Sequence, residues 1–298
     1  MNVSPELLVN FVIAGVMIGT LYALMAMGIT FIYSIMKMIN WSMGEFYMIG
    51  SYAQWFLITF VVGGQLWFVG VIGSAIVLCL VGLVVQQLLI RPMFSTGMER
   101  KDEYGTVVTI ALALFLRNLA TVLSGPNTRS PDVNLGRVML GSLPISGNRF
   151  AAFIGALVVI GIFYLLLNYT WLGRAFRASS QNRVGVQTVG INVLRIDQLA
   201  FALGVTLAGI AGALLAPVFN VFPENGAVTT MKGFEIIIIG GMGSLPGAAL
   251  GGLLLGLVES LGSVFIDSSL RNVYGFIFLI IVLVIKPNGL FGEKERLS

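Results

Sequence analysis

The chain has 298 residues, of which 57% are hydrophobic and 10% charged, with a net charge of +4 and a mean hydropathy of +0.95. Soluble domains are about a quarter charged, so this composition excludes a soluble globular domain and describes an integral membrane protein. The positive charge would suggest nucleic acid in a soluble protein, but here the basic residues fall mostly in loops, where they set orientation, and no nucleic-acid partner is expected.

The opening residues, MNVSPELL, lack a basic n-region. They do not read as a cleaved signal peptide, and the first hydrophobic helix is expected to stay. No charge occurs from Leu7 to Met36, Phe46 to Ile90, Phe150 to Gly173 or Gln198 to Pro223. A helix crosses the hydrocarbon core with about 20 apolar residues. The second run is therefore long enough for two crossings, broken at Gly63-Gly64-Gln65. Barrel strands would be about 10 residues long and would alternate; these runs do neither.

The pattern predicts helices over 7–34, 43–62, 66–90, 105–124, 150–169, 198–217, 247–266 and 271–286. A shorter apolar piece, 233–241, reaches about halfway through a membrane. The expected fold is all-α: a single transmembrane domain over 1–298, a polytopic bundle of about eight full helices plus a broken half-helix. Arg91, Arg100 and Lys101 lie in one loop, and Arg174, Arg177, Arg183 and Arg195 in another two crossings later. Both loops therefore share a side, and the positive-inside rule makes it the cytoplasm. Turn-rich GPNTRSPD and SLPISGNR, in the 125–149 loop, suit the outside. The charged tail KPNGLFGEKERLS is placed in the cytoplasm and the N-terminus outside.

Two irregular stretches interrupt this pattern. Ile39 to Tyr52 reads INWSMGEFYMIGSY and holds Asn40, Ser42, Gly44 and Glu45 between hydrophobic helices. Asn40 and Ser42 could cap the next helix, with Glu45 favouring its positive end; alternatively the break faces a central cavity. Gly240 to Gly252 reads GGMGSLPGAALGG, six glycines and a proline in thirteen residues. Irregular backbone at membrane depth survives only inside protein or beside a water-filled cavity, and a half-helix followed by a break is a pattern of pathway-lining elements. Gly240, Gly241, Gly243 and Ser244 are therefore read as lining a solute path opposite Asn40–Glu45. Close helix packing through small residues accounts for the same glycines.

Glu45, Arg117, Glu235 and Glu259 are the ionisable residues in or near spans, where each must be paired or meet water. Arg117 is expected to pair with Glu235, failing which with Glu45 or Glu259, or else to meet an anionic substrate. Cys79, the only cysteine, lies in an apolar run and can form no internal disulfide. There is no histidine, which removes the commonest metal ligand and general base. No Gly-x-x-x-x-Gly-Lys cradle for phosphates exists. Neither an enzyme nor a cofactor or metal site is expected. The basic loop from Trp171 to Asn192, WLGRAFRASSQNRVGVQTVGIN, is either an amphipathic helix on the lipid surface or a helix that docks on a cytoplasmic partner.

These stretches together resemble the permease subunits of branched-chain amino-acid ABC importers. The likeness is carried by GTLYALMAMGITFIYSIMKMINWSMGEFYMIGSY, LGRAFRASSQNRVGVQTVGINVLRIDQLAFALGVTLAGIAGALL and MKGFEIIIIGGMGSLPGAALGGLLLGLVES, and it spans nearly the whole chain. The resemblance implies a multi-pass protein of the bacterial inner membrane. It also implies a second homologous permease, two cytoplasmic ATPases and a periplasmic solute-binding protein as partners. Gly173, Arg174, Phe176, Arg177, Gln181, Asn182 and Gly190 fall in the stretch that such a resemblance makes the ATPase-coupling loop. Asn40-Trp41-Ser42-Met43-Gly44-Glu45 departs from the family's usual Asn-Phe/Leu-Ala-His-Gly-Glu, and Arg117-Asn118 from its Gln-Asn. Because related permeases serve urea, short amides and aromatic acids, these departures leave the substrate open beside branched-chain or other hydrophobic amino acids. A stand-alone ion-coupled carrier and a passive amide channel are the competing readings.

Overall fold

A computed structural model describes residues 5–95, 99–140 and 143–292. The N-terminal Met1–Ser4 and the charged tail end 293–298, assigned to opposite sides above, lie outside the described residues. The chain forms α1 (Pro5–Met36), α2 (Met43–Leu57), α3 (Trp67–Val85), α4 (Arg91–Ser95) and α5 (Lys101–Ser124). A small antiparallel hairpin, β1 (Arg137–Leu140) and β2 (Leu143–Ser146), pairs Val138 with Ile145 in the turn-rich loop. Then follow α6 (Gly147–Tyr169), α7 (Trp171–Gln181), α8 (Arg183–Thr188), α9 (Val193–Leu215), α10 (Asn225–Gly240), α11 (Leu245–Phe265) and α12 (Arg271–Ile285).

Among the described residues, seven helical stretches are long and apolar enough to cross a membrane. The predicted 43–62 crossing has a different form. Its α-helix ends at Leu57 and the last turn, Ile58–Val62, winds as a π-helix. The predicted half-helix is also longer than its apolar core, because α10 starts at Asn225 and its first two turns are polar.

Lipid tails are as apolar as leucine, so close packing and interhelical hydrogen bonds, rather than a hydrophobic driving force, hold such bundles together. The chain uses paired glycines for this. Gly15 and Gly19 of α1 lie against Gly252 and Gly256 of α11, and a Cβ on Gly19 would sit 2.9 Å from the Cα of Leu253. This spacing of glycines, four apart on both helices, lets the backbones touch. α9 is buried on nearly every face. It lies against α1, α2 and α3, with Ser51 donating to the Gly212 carbonyl at 3.0 Å. By contrast α3, α5, α6 and α12 carry large apolar side chains outward, among them Leu80, Val107, Leu123, Ile162 and Val284, as a lipid-facing rim requires.

The two basic segments meet at one end of the bundle, as the loop charges predict. Arg183 lies 4.8 Å over the ring of Phe94, donates to the Ile35 carbonyl at 3.0 Å and pairs with buried Asp197. One cation thereby ties α8, α9 and the last turn of α1 together.

Candidate functional site

The first irregular stretch is knit by side chains. Asn40 Oδ1 accepts from the Ser42 backbone N–H at 3.0 Å and from the Ser42 hydroxyl at 2.7 Å, and both residues are buried. Asn40 thus closes a local turn. Ser42 holds the N-cap position of α2 without capping it through its side chain. That work falls to a neighbour: Thr230 Oγ1 of α10 accepts the Gly44 N–H at 3.0 Å. The Trp41 N–H reaches Thr109 Oγ1 of α5 at 3.2 Å.

Glu45 is the second link to α5. Arg117 Nη2 donates to Glu45 Oε1 at 2.8 Å, with the carboxylate 1% and the guanidinium 31% exposed. This corrects the expected Arg117–Glu235 pair. α5 packs on α2, and Glu235 is held instead by Lys232 on its own helix.

The glycine stretch is built differently. Gly241 and Gly243 take φ values of +99° and +86°, which L side chains rarely adopt. Gly240 and Gly247 face each other so closely that a Cβ on either would strike the other's backbone. The chain beyond α12 folds back over them: the Leu290 N–H donates to the Ile239 carbonyl and the Phe291 N–H to the Gly240 carbonyl, both at 2.9 Å. Ser244 caps α11, its hydroxyl accepting the Gly247 N–H at 3.1 Å. Gly243 lies beside Tyr33, one turn from the end of α1. The break therefore sits at the end of the bundle that carries Arg183, and its buried glycines are used for close packing. It does not face Asn40–Glu45, which meet α10 nearer its start, at Thr230 and Phe234, about 9–15 Å short of Gly240 along the helix.

The densest charge in the bundle was missed by the sequence reading. Lys232 of α10 pairs with Glu235 at 3.4 Å and with Glu259 of α11. Arg271 of α12 donates from Nε to Glu259 Oε2 at 2.8 Å, and the Tyr22 hydroxyl of α1 donates to the same oxygen at 3.1 Å. Two cations and two carboxylates thus balance across three helices, with the Tyr22 hydroxyl added from a fourth. In the sequence Lys232 stands out only as a lysine outside the charged loops, because the polar start of α10 reads as loop, and Arg271 is passed over because it opens its helix; the signal available for the pairing was the Lys-x-x-Glu spacing on one helical face. Just before α12, Asp267 accepts the Ser269 N–H at 2.8 Å, and hydrogen bonds from Ser269 hold its carboxyl below the usual carboxylate range. Above the charges lies a cavity of about 240 Å³, bordered by α1, α2, α10, α12 and the 216–224 connection. It is at the far end of α9 from Arg183.

The loop between α6 and α9 folds as α7 and α8, capped by Thr170 and Asn182. Gly173 is buried against the Leu166 and Leu167 carbonyls. Phe176 is 1% exposed and stacks edge-on against Phe31 at 5.1 Å. It therefore anchors α7 in the bundle, which corrects its expected place on a docking face. Arg174, Arg177, Gln181, Asn182, Val184 and Val189 point outward, and Gly190 turns the chain at φ +80°. Arg177 bends back to the Leu167 carbonyl.

Charged side chains held between apolar spans around a cavity define a multi-pass membrane protein of the transporter class. The chain belongs to the family described as the branched-chain amino acid transport system permease component, which matches residues 11–285. It is 31% identical to the high-affinity branched-chain amino acid transport system permease protein LivH of Escherichia coli K12, over 94% of each chain. It is 33% identical to LivH of Salmonella typhimurium and 32% to the permease protein BraD of Pseudomonas aeruginosa, again over 94% of each chain. No solved structure matches it.

Proposed function

We propose that the chain is the inner-membrane permease subunit of an ATP-driven importer for branched-chain or other hydrophobic amino acids. It works beside a second, homologous permease, with two cytoplasmic ATPases and a periplasmic binding protein. The observation that carries this reading is the α7–α8 segment. Gly173 and Phe176 fasten it to the bundle while Arg174, Gln181, Val184 and Val189 face away from it. A chain with no phosphate-cradling glycine loop needs an external source of work, and an anchored helix with a free, basic and apolar outer face suits a groove on such a partner. A self-sufficient carrier has no use for it.

The test is co-purification and uptake with the companion subunits. Val184→Asp with Val189→Asp is expected to cut ATPase capture at least tenfold and to abolish ATP-driven leucine uptake, with the permease pair still assembled. Undiminished capture and uptake would rule this surface out. The wild-type chain alone is expected to hydrolyse no ATP and to accumulate no solute; uphill uptake by the chain alone would return the carrier reading.

A further inference from the structure

We infer that the 240 Å³ cavity above Lys232 and Arg271 is a binding site, within this single subunit, for a zwitterionic amino acid with an apolar side chain. The inference rests on the import reading above and adds where in the chain the solute is held and by which atoms.

Lys232 and Arg271 line the cavity, whereas their counter-charges Glu235 and Glu259 lie behind them. An ammonium has three donors, and Lys232 gives two to the carboxylates, leaving one for a ligand. Arg271 uses Nε on Glu259 and has four further N–H groups. The cavity floor thus presents donors suited to a carboxylate.

The cluster is already neutral. A bare carboxylic acid anion would therefore leave one uncompensated negative charge beside the buried Glu235 and Glu259 carboxylates, an unfavourable arrangement, whereas a zwitterion brings its own cation. Asn225 supplies an acceptor for that cation. It lines the cavity, is 8% exposed, and its Oδ1 accepts no hydrogen bond among the described residues. Buried polar atoms without partners are rare in native proteins and call for an explanation; a ligand ammonium provides one. Asn225 and Lys232 are seven residues apart on α10, two helical turns on one face. They therefore flank the space that a backbone ammonium and carboxylate would occupy.

The rest of the wall is mainly apolar, with Leu21, Met25, Leu215, Phe219, Phe222 and Val228 set beside the hydroxyls and amides of Tyr22, Tyr47, Asn220, Thr229 and Asn272. Pockets for drug-sized ligands begin at about 300 Å³, so this one takes a smaller molecule, on the scale of leucine or valine. The walls offer no acidic group for a basic side chain.

The test uses the complete transporter in nanodiscs without binding protein, with Cys79→Ser to remove the native thiol and Val228→Cys as reporter at the cavity wall. A small water-soluble thiol reagent is expected to label Cys at this position. Millimolar leucine is expected to slow labelling at least fivefold. The amine lacking the carboxylate and the acid lacking the ammonium are each expected to protect at least tenfold less well. Adding Asn225→Leu, which leaves the ion cluster intact, is expected to abolish leucine protection. Absent labelling, or labelling that leucine leaves unchanged, overturns the site. So does protection by the deaminated acid equal to that by leucine, or protection that survives Asn225→Leu. ATP-driven leucine uptake by the wild-type complex, run in parallel, separates the two claims: uptake without protection removes this site and leaves the import reading standing, and absence of uptake removes both.

Discussion

The two ends of α10 solve the same problem by different means. Along its first half, the stretch from Asn40 to Glu45 arrives as irregular backbone and is satisfied by side chains: Asn40, Thr109, Thr230 and the Glu45–Arg117 pair. At its finish, the stretch from Gly241 to Ser244 has almost no side chains to offer, and backbone meets backbone. Interior backbone that leaves a helix must find partners. A polar break finds them in side chains that can be exchanged one at a time. A glycine break finds them through close approach, where an atom added at Gly240, Gly241 or Gly247 collides.

That contrast predicts unequal penalties. The largest belongs to the glycine end. Gly240→Val would drive a branched side chain into the Gly247 backbone, and overpacking of this kind costs about 3 kcal/mol. Loss of monodisperse protein in detergent is the expected result. Gly243→Ala meets only Tyr33, at 3.7 Å; it should cost roughly 1–2 kcal/mol for its positive φ alone and should keep the fold. If Gly240→Val is as stable as wild type, the glycines are not there for packing.

The next effect separates the ion pairs. Glu45→Gln strands a guanidinium that is one-third exposed, so about 2 kcal/mol is expected, less than for a fully enclosed pair. Joining it with Arg117→Gln should recover part of the loss, whereas Glu235→Gln and Arg117→Gln should simply add. A thermal-stability cycle on the four variants decides this; additivity between Glu45 and Arg117 would dissolve the pair.

The smallest effects compare single hydrogen bonds at the two ends. Thr230→Val removes the acceptor for the buried Gly44 N–H while keeping the shape, and should cost about 1–2 kcal/mol. Ser244→Ala removes a cap near the bundle end, where water replaces it, and should cost about 1 kcal/mol or less. Equal losses would mean that the Asn40–Glu45 stretch is no better shielded than the glycine stretch.

Much of the architecture was legible along the chain, because a membrane span needs only length and the absence of charge. The eight predicted crossings fall within a few residues of observed helices, although the one over 43–62 ends in a π turn. The shared end of the basic loops and the small-residue packing around Gly252 were equally readable. Partners were less so. Arg117 was assigned to the wrong carboxylate, since both Glu45 and Glu235 have the right chemistry and only the packing of α5 on α2 chooses between them. Phe176 looked like a docking residue because it is an apolar side chain on a basic amphipathic helix, yet it turns inward onto Phe31 instead of outward toward a partner.

Hydropathy, loop charge and the missing histidine and phosphate loop belong to the sequence by itself, because each depends only on which residues are present and how far apart they stand. The cluster of Lys232, Glu235, Glu259 and Arg271, and the Asn225 amide oxygen above it that accepts no hydrogen bond among the described residues, were decided by tertiary structure. Forty-six residues separate Asn225 from Arg271, and Tyr22 comes from the other end of the chain. A neutral, enclosed set of charges exists only when α1, α10, α11 and α12 bring their separate groups to one point, since electrostatic balance at membrane depth is a property of distances between helices that no single segment contains.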